Sequence, residues 1–203
     1  MPLTNIVTDL ANRADNALTI GTADTGQVWA NQWGVCGIKT NQFYPVSLGG
    51  GFPPFYPCAV VPCGYANGEI KLDLTALLGQ AGVIWRWTAG GNGFLMSVDL
   101  NTISILKVVN FAGTSIYNSN IPGPRPTGLL RIVLSGNNHD CYYAGNLEKS
   151  FTDAYNATAT NHGVMFGSPA SNPRSDNFYF DTNITPPSPD ILHQKRALLM
   201  GLG

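Results

Sequence analysis

The 203-residue sequence is poor in charged residues. Asp, Glu, Lys and Arg make up 11% of the chain, against roughly 25% in soluble proteins generally. Long solvent-exposed helices are therefore not expected, because their outer faces need many charged side chains. The formal net charge is −1, and no basic run is longer than the pair Lys195 and Arg196. We expect no nucleic-acid partner, because the positive patch that binds nucleic acids is missing.

Long apolar runs are also missing. No run approaches the ~18 apolar residues that a membrane-spanning helix needs. Residues 1–9 have neither the basic start nor the apolar block of a signal peptide. We therefore expect no membrane contact and synthesis in a cytoplasm.

Cysteine is scarce and unevenly spaced. The chain has Cys36, Cys58, Cys63 and Cys141, of which only Cys58 and Cys63 are close in sequence. A chain of this length can bury a core without covalent cross-links, and the spacing matches no disulfide framework. A Cys58–Cys63 bond stays open, but buried free thiols are the preferred interpretation, because cysteine is among the most buried residue types.

Glycine and proline, by contrast, are plentiful, with 23 and 14 residues. They separate short segments in which apolar and polar residues alternate, as at residues 68–74, where Ile70, Leu72 and Leu74 alternate with polar side chains. Such alternation indicates strands with one buried face. Spacings of roughly eight to twelve residues between strands are typical of sandwiches and jelly rolls. The sequence therefore predicts one all-β domain, a two-sheet antiparallel jelly-roll sandwich.

Two parts of the N-terminal third are less regular. Residues 3–17 carry weak helical or turn signals, so the first strands are expected at residues 18–21 and 28–38. Residues 41–67 combine Gly-Gly-Gly and several prolines with aromatic residues, which excludes a long regular strand. Exposed aromatic residues mark ligand sites and protein interfaces alike, so the aromatic loop at 43–56 is a second candidate glycan-binding surface and equally a candidate assembly surface. The residues assigned to it are Phe52, Phe55 and Tyr56.

A series of short motifs follows a set order from residue 9 to residue 181. The motifs are Ala-Asn-Arg-Ala-Asp-Asn-Ala-Leu at 11–18, Asp-Thr-Gly-Gln-Val-Trp at 24–29, Trp-Gly-Val at 33–35, Trp-Arg-Trp at 85–87 with Gly-Phe-Leu at 93–95, Leu-Lys-Val-Val-Asn-Phe-Ala-Gly at 106–113, Arg-Ile-Val-Leu-Ser-Gly at 131–136, Asp-Ala-Tyr at 153–155 with Gly-Val at 163–164, and Asp-Asn-Phe at 176–178. This order resembles the laminin-G-like branch of the concanavalin A-like jelly rolls, in the form common in tail and virion proteins of tailed bacteriophages. Ala11 departs from the pattern, which usually has an aromatic residue there.

The fold that this resemblance implies is shared by lectins, polysaccharide lyases, hydrolases and structural modules, so it does not choose a function by itself. A jelly-roll glycosidase needs two carboxylates about 5 to 10 Å apart, usually in a Glu-x-Asp-x-x-Glu strand in this superfamily. That motif is absent, and the only two glutamates, Glu69 and Glu148, are far apart in sequence. His139, His162 and His193 show no metal-ligand spacing. We therefore expect no enzyme and no cofactor.

A calcium site is found in some laminin-G-like domains. Asp153 with Asn156, or Asp176 with Asn177, would supply oxygen ligands for it. Calcium needs six to eight oxygen ligands, so turn-stabilising hydrogen bonds are the preferred role of these pairs. We therefore predict no metal site.

Binding of a glycan is the functional hypothesis that the residues favour. Sugars stack their C–H faces on aromatic rings, while amides, carboxylates and Arg hydrogen-bond to their hydroxyls. The candidate glycan-binding residues are Trp87, Arg86, Asn92, Tyr142, Tyr143 and Asp153.

An ordinary structural role stays open for each of these candidates. Strand periodicity places Trp85 and Trp87 on one face of their strand and Ile84 and Arg86 on the other. In that alternative the two tryptophans belong to the core, Arg86 neutralises an acid such as Asp153, and the two adjacent tyrosines form an inward and outward pair.

The C-terminal residues leave the strand pattern. The run Thr-Pro-Pro-Ser-Pro at 185–189 interrupts it, and Ser188 is placed to cap a short helix. The helix is too short to be stable alone, so it must dock on its own sandwich or on a neighbouring subunit. The chain is thus divided into a laminin-G-like sandwich at 1–184 and a Pro-rich linker with a helix at 185–203. The apolar stripe of the helix is Ile191, Leu192, Leu198 and Leu199, assigned to assembly.

The resemblance implies a non-enzymatic bacteriophage virion protein, a minor tail or tail-tip module that binds a host glycan. Its partners are then other virion proteins, a host cell-surface glycan and copies of itself, with a trimer favoured. Its location is the virion, after synthesis in the host cytoplasm. A capsid decoration protein with a purely architectural role and a glycan-degrading hydrolase or lyase are the alternatives.

Overall fold

The structure is a computed structural model that describes residues 5–49, 57–120 and 126–182. The boundary expected at residue 184 and the predicted C-terminal helix lie outside this part of the chain. The predicted assembly residues also lie outside it, namely Phe52, Phe55, Tyr56, Ile191, Leu192, Leu198 and Leu199. Their role in assembly stays a prediction.

The described residues form fifteen strands, one short 3₁₀ helix and no α-helix. The strands are Asn5–Asp9 (β1), Ala30–Trp33 (β2), Val35–Ile38 (β3), Phe43–Ser47 (β4), Cys58–Pro62 (β5), Gly68–Ala76 (β6), Ala81–Thr88 (β7), Asn92–Val98 (β8), Thr102–Val109 (β9), Ala112–Asn120 (β10), Gly128–Ser135 (β11), Asn138–Tyr143 (β12), Asn146–Thr152 (β13), Asn161–Phe166 (β14) and Arg174–Asp181 (β15). The 3₁₀ helix is Pro169–Ser171. In this part of the chain no helix is long and apolar enough to cross a membrane.

The strands form two antiparallel sheets. An eight-stranded sheet has the order β13-β12-β11-β6-β15-β4-β3, with β1 also paired to β15. A seven-stranded sheet has the order β10-β9-β8-β7-β14-β5-β2. Strands that are distant in sequence, such as β6 and β15, are neighbours in the first sheet. The prediction of an all-β, two-sheet antiparallel jelly-roll sandwich is therefore confirmed.

The main core lies between the two sheets. Ile70, Leu72 and Leu74 of β6 are buried in it, as their alternation with polar residues predicts. The seven-stranded sheet contributes large side chains such as Trp85 and Phe94, whose rings stack at 5.7 Å between centroids. Burial of such side chains is worth roughly 1.5–3 kcal/mol each, so this layer holds the sheets together.

The N-terminal third differs from the prediction. Residues 5–9, within a segment with helical or turn signals, form β1 on β15, and residues 18–21 form no strand. The predicted strand at 28–38 divides at Gly34 into β2 of the seven-stranded sheet and β3 of the eight-stranded sheet. Periodicity indicated neither feature. The strand β1 is stabilised by pairing with the distant strand β15, and the change of sheet depends on the single residue Gly34.

All four cysteines are free and buried. The expectation of free thiols is therefore confirmed for Cys58 and Cys63. The two residues cannot approach each other easily, because Cys63 packs in the main core while Cys58 belongs to an apolar cluster on the outer face of the seven-stranded sheet. Burial raises the pKa of the Cys58 thiol to about 12.

The crossing at Gly34 can be tested by substitution. Gly34 has a φ of +57°, and a Cβ there would clash with the Ser47 carbonyl oxygen. Gly136 has nearly the same φ, +58°, with open space around it. We expect Gly136→Ala to lower the free energy of unfolding by about 1–2 kcal/mol through backbone strain alone. Gly34→Ala should cost a further 1–3 kcal/mol or so from the clash. Urea unfolding measures the free energy of unfolding of both variants. Equal losses in the two variants would contradict the close packing of Gly34 at the crossing.

Candidate functional site

A β-bulge at Arg86 divides β7 into two parts that face opposite ways. Arg86 has a φ of +49°, and the register with β8 shifts between Trp85 and Thr88. Trp85 therefore packs in the main core, whereas Trp87 joins Ile84 in the apolar cluster on the outer face of the seven-stranded sheet. The expectation that both tryptophans share one face was wrong, because the extra bulge residue reverses the alternation.

A pocket of about 190 Å³ lies on this outer face. Its walls are aromatic and its base is apolar. The residues that define it are Trp33, Trp87, Phe111, Ile84, Leu95 and Met165. We call this site the outer pocket.

Trp33 and Phe111 form one wall of the outer pocket, with ring centroids 4.5 Å apart. Phe111 lies in the two-residue turn between β9 and β10, where Asn110 and Phe111 both have positive φ, +50° and +61°. Hairpin turns of this kind favour Asn-Gly, because glycine adopts positive φ without cost. A bulky residue in this position is strained, and here the strain holds an aromatic ring at the pocket.

Four polar groups of the outer pocket lack partners in the part of the chain that the structure describes. The indole N–H groups of Trp33 and Trp87 are buried without an acceptor, and neither nitrogen has appreciable accessible surface. The Trp33 nitrogen packs against Gly49. Ser97 and Ser104 face each other across β8 and β9, and no described residue hydrogen-bonds to either hydroxyl. A buried donor without an acceptor costs roughly 1–3 kcal/mol. None of the described residues that line the pocket is charged.

Three of the predicted glycan-binding residues are buried away from this pocket or on the other sheet. Arg86 is fully buried, and its guanidinium donates to the Asn67 side chain at 3.1 Å and to the Gly136 carbonyl. Tyr143 is in the main core, and its hydroxyl donates to the Pro126 carbonyl. Tyr142 lies on the outer face of the eight-stranded sheet beneath Arg131, 4.7 Å from ring to guanidinium carbon.

Asn92 and Asp153, by contrast, come together at one end of the sandwich. The Asn92 side-chain oxygen accepts from the Tyr155 hydroxyl at 3.0 Å and from the Asn110 backbone N–H at 2.8 Å. Asp153 pairs with Lys107 at 2.8 Å and accepts from the Tyr155 backbone N–H. Asn92 therefore supports the strained turn that carries Phe111. A role of these two residues in ligand binding stays a prediction.

Sequence reasoning identified Trp87 but missed the rest of the outer pocket. Leu95 and Ser97 share an outward face by simple alternation, and Ser104 lies opposite Ser97 in a predictable hairpin. Trp33 and Phe111 had no such signal, because their positions depend on the crossing at Gly34 and on a strained turn.

Two buried histidines support the same end of the sandwich. Nδ1 of His139 accepts from the Trp85 indole N–H at 2.9 Å, and Nδ1 of His162 accepts from the Arg86 backbone N–H at 3.2 Å. Each ring is therefore assigned as neutral with its proton on Nε2. Burial lowers the pKa of both rings to about 4, and the nearby Arg86 charge adds to the effect.

We predict that these two histidines lower the free energy of unfolding in mild acid. Their folded pKa lies below the unfolded value of about 6.5, so the unfolded chain takes up protons first. The free energy of unfolding should therefore be constant above about pH 6.5 and fall between about pH 6.5 and pH 4, by roughly 3 kcal/mol per histidine. Urea unfolding over this range measures it. His162→Gln keeps a donor and an acceptor but cannot titrate, so its loss should be about half; a loss as large as that of the unmodified chain would contradict this origin.

Two carboxylates meet on the outer face of the eight-stranded sheet. Glu69 and Asp181 are cross-strand partners, and both line a second pocket of about 220 Å³ with Lys71 and Tyr179. Glu69 pairs with Lys71 at 3.2 Å and with Arg131. Its carboxylate is thus engaged by two cations, which does not suit a group that must transfer a proton.

The residues considered for calcium have partners of their own. Asp176 accepts from the Asn177 backbone N–H at 2.8 Å, and the Asn177 amide donates to Asp73 at 2.8 Å. Burial and the neighbouring Asp73 raise the pKa of Asp176. Within residues 5–49, 57–120 and 126–182, no three His, Cys, Asp or Glu side chains group as metal ligands.

Comparisons with known proteins identify the fold. No protein-family model matches the chain, and no curated protein sequence matches it. Among solved structures, the carbohydrate-binding module CBM66 from Bacillus subtilis aligns with a TM-score of 0.57 and 13% identity, over 73% of this chain and 91% of that one. A β-1,3-1,4-glucanase (lichenase) derived from a mouse hindgut metagenome aligns at 0.54 and 10% identity, over 87% and 98%.

A third similar structure is the binding domain of botulinum neurotoxin DC in complex with SialylT, with a TM-score of 0.50 and 13% identity. The alignment covers 97% of this chain but only 50% of that one. At such low identities these similarities establish the fold alone, a concanavalin A-like jelly-roll sandwich.

Proposed function

We propose that the chain is a non-enzymatic carbohydrate-binding domain that holds a sugar in the outer pocket. The observation that carries this proposal is an uncharged, aromatic-walled pocket whose lining includes Ser97 and Ser104. Ligand sites typically combine apolar walls with a few such polar groups. A sugar presents the matching surface, because its C–H face stacks on aromatic rings while its oxygens hydrogen-bond at the edge.

Pocket size and backbone strain support the same function. A volume of about 190 Å³ suits a single sugar unit. The positive φ of Phe111 costs energy that glycine would avoid, and strain of this kind is concentrated at functional sites. The similar structures support the class of ligand, since one is named a carbohydrate-binding module and another is bound to SialylT.

The proposal can be tested with variants of the pocket wall. A glycan array identifies ligands, and calorimetry then measures their dissociation constants. Trp33→Ala should weaken binding about tenfold or more, because a stacking ring is lost. Phe111→Gly should weaken binding similarly while changing the free energy of unfolding by no more than about 1 kcal/mol, because relief of strain offsets the lost ring contact.

Tyr142→Ala on the other sheet is the matched control and should bind normally. Loss of binding in Tyr142→Ala, with normal binding in both pocket variants, would place the site on the eight-stranded sheet. Silence of the unmodified chain on a broad array would favour a purely architectural role.

A glycan-degrading hydrolase or lyase is the second candidate, and the facing pair Glu69 and Asp181 is the observation that favours it. Product release from bound glycans distinguishes the two. A non-enzymatic carbohydrate-binding domain should release no product. A hydrolase or lyase that uses this pair should release product, and Asp181→Asn should abolish it.

The setting that we propose is a bacteriophage particle, with this domain as a minor tail or tail-tip module that binds a host glycan. This part of the proposal rests on the order of motifs from residue 9 to residue 181. Other virion proteins and further copies of the chain, in a trimer, are the proposed partners, and a capsid decoration protein is the alternative. The test is the protein content of purified particles by mass spectrometry.

A further inference from the structure

We infer that the outer pocket selects a neutral 6-deoxyhexose and seats the methyl group of that sugar on its apolar base. This inference rests on the proposed function and specifies its ligand. Three properties of the pocket support it: the absence of charge, the small number of hydrogen-bonding groups that a ligand can reach, and the apolar base.

The lining of the pocket is uncharged. The described residues that form it include no Asp, Glu, Lys or Arg. Burial also keeps the Cys58 thiol of the lining neutral, because it raises the pKa of that thiol to about 12. A charged sugar would leave water without a counter-charge, which is costly in an apolar site. Uronic acids, sialic acids and cationic amino sugars are therefore disfavoured, and a neutral sugar is required.

Two serine hydroxyls are the side-chain groups of the described lining that a ligand can use for hydrogen bonds. Ser97 is 4% exposed, and the surface that it retains belongs to the pocket. Its cross-strand partner Ser104 is half-buried and lines the same pocket. The indole nitrogens of the walls have no appreciable accessible surface, so they do not bond to a ligand. The Gln80 side chain is engaged by the Asp99 carboxylate.

The apolar base lies beside these serines. Leu95 is two residues before Ser97 on the same face of β8, and Ile84 is the cross-strand partner of Leu95 on β7. Met165 completes the base, and all three apolar side chains are more than nine-tenths buried. Two residues along a strand span about 7 Å, which is comparable to the width of a pyranose ring with its substituents. One sugar can therefore touch the serines and the base at the same time.

A sugar that fits this pocket brings one apolar substituent and few polar groups. An ordinary hexose would bury its C6 hydroxyl against the base without a partner. An N-acetylated hexosamine keeps that hydroxyl and adds an amide N–H and a carbonyl, for which the described lining offers no further side-chain partner. A 6-deoxyhexose has a methyl group in place of the C6 hydroxyl, and its ring hydroxyls remain for Ser97 and Ser104.

The test compares pairs of methyl glycosides that differ in a single oxygen atom, by NMR titration of the unmodified chain. The pairs are fucose with galactose, rhamnose with mannose and quinovose with glucose, each in matching absolute configuration. The methyl glycosides of N-acetylglucosamine and glucuronic acid are measured beside them. We expect at least one 6-deoxy glycoside to bind about fivefold or more tightly than its parent hexose and than these two sugars. In saturation-transfer spectra its C6 methyl should receive the strongest signal, because that group is the most deeply buried part.

Variants of the base locate the selectivity. Met165→Gln places an amide of similar length at the base, so the preference for the 6-deoxy glycoside over its parent hexose should fall about three- to tenfold. Leu106→Gln is a second variant of the lining at a half-buried position, in case Met165→Gln fails to fold. Both should lower the preference more than they change the affinity for the parent hexose.

A serine variant separates the two contacts. Ser97→Ala should weaken both members of a pair alike, by about three- to tenfold, and leave the preference between them unchanged. Ser135→Ala, at an exposed serine of the eight-stranded sheet, is the matched control and should leave all affinities unchanged.

Each outcome separates this inference from the proposed function. Equal binding of the two members of every pair, or tighter binding of the N-acetylated or the charged glycoside, overturns the 6-deoxy inference and leaves carbohydrate binding in place. A preference that persists in full in both base variants overturns it as well. Binding of no sugar at all overturns both.

Discussion

The bulge at Arg86 is the local constraint on which the rest of the site depends. One residue with positive φ sends Trp85 into the main core and Trp87 to the outer pocket. It also turns the Arg86 side chain inward, where it reaches Asn67 and the Gly136 carbonyl of the opposite sheet. A buried guanidinium without such acceptors would cost several kcal/mol. The same bonds that satisfy this charge therefore join the two sheets beside the pocket.

The outer pocket, where we propose that a sugar binds, has local features that a stable sandwich must tolerate. Its features oppose stability locally, because the Phe111 turn is strained and the indole donors of Trp33 and Trp87 are unpaired. The main core between the sheets tolerates these costs, and Asn92 supports the strained turn from below through the Asn110 N–H. Each of these local costs is about 1–3 kcal/mol, which is small beside the burial of the many apolar side chains of the main core. The inner face of the seven-stranded sheet thus serves folding, and the outer face carries the binding function that we propose.

The sequence predicted the fold well and the site in part, for physical reasons. Regular strands such as β6 can be predicted from the alternation of apolar and polar residues. Hairpins such as that of β8 and β9 can be predicted from their turn residues, because both signals depend on local chemistry. The sheet crossing at Gly34, the pairing of β1 and the bulge at Arg86 depend on contacts between distant segments, which alternation cannot report. Trp87 was therefore identified for its residue type, but its face was wrong. The position of Phe111 at the pocket could not be predicted from the sequence. A two-residue turn of this type normally has glycine where this chain has Phe111, so Asn-Phe does not indicate such a turn.

The most direct test of the account follows the four indole N–H signals in a two-dimensional ¹⁵N–¹H spectrum as a bound sugar is added. Trp29 donates to Asp9 at 2.7 Å and Trp85 to His139 at 2.9 Å, so both are engaged inside the fold. Trp33 and Trp87 line the outer pocket without an acceptor. The account predicts that the Trp33 and Trp87 signals shift while the other two stay in place. A sugar that binds and leaves the Trp33 and Trp87 signals unchanged would contradict it.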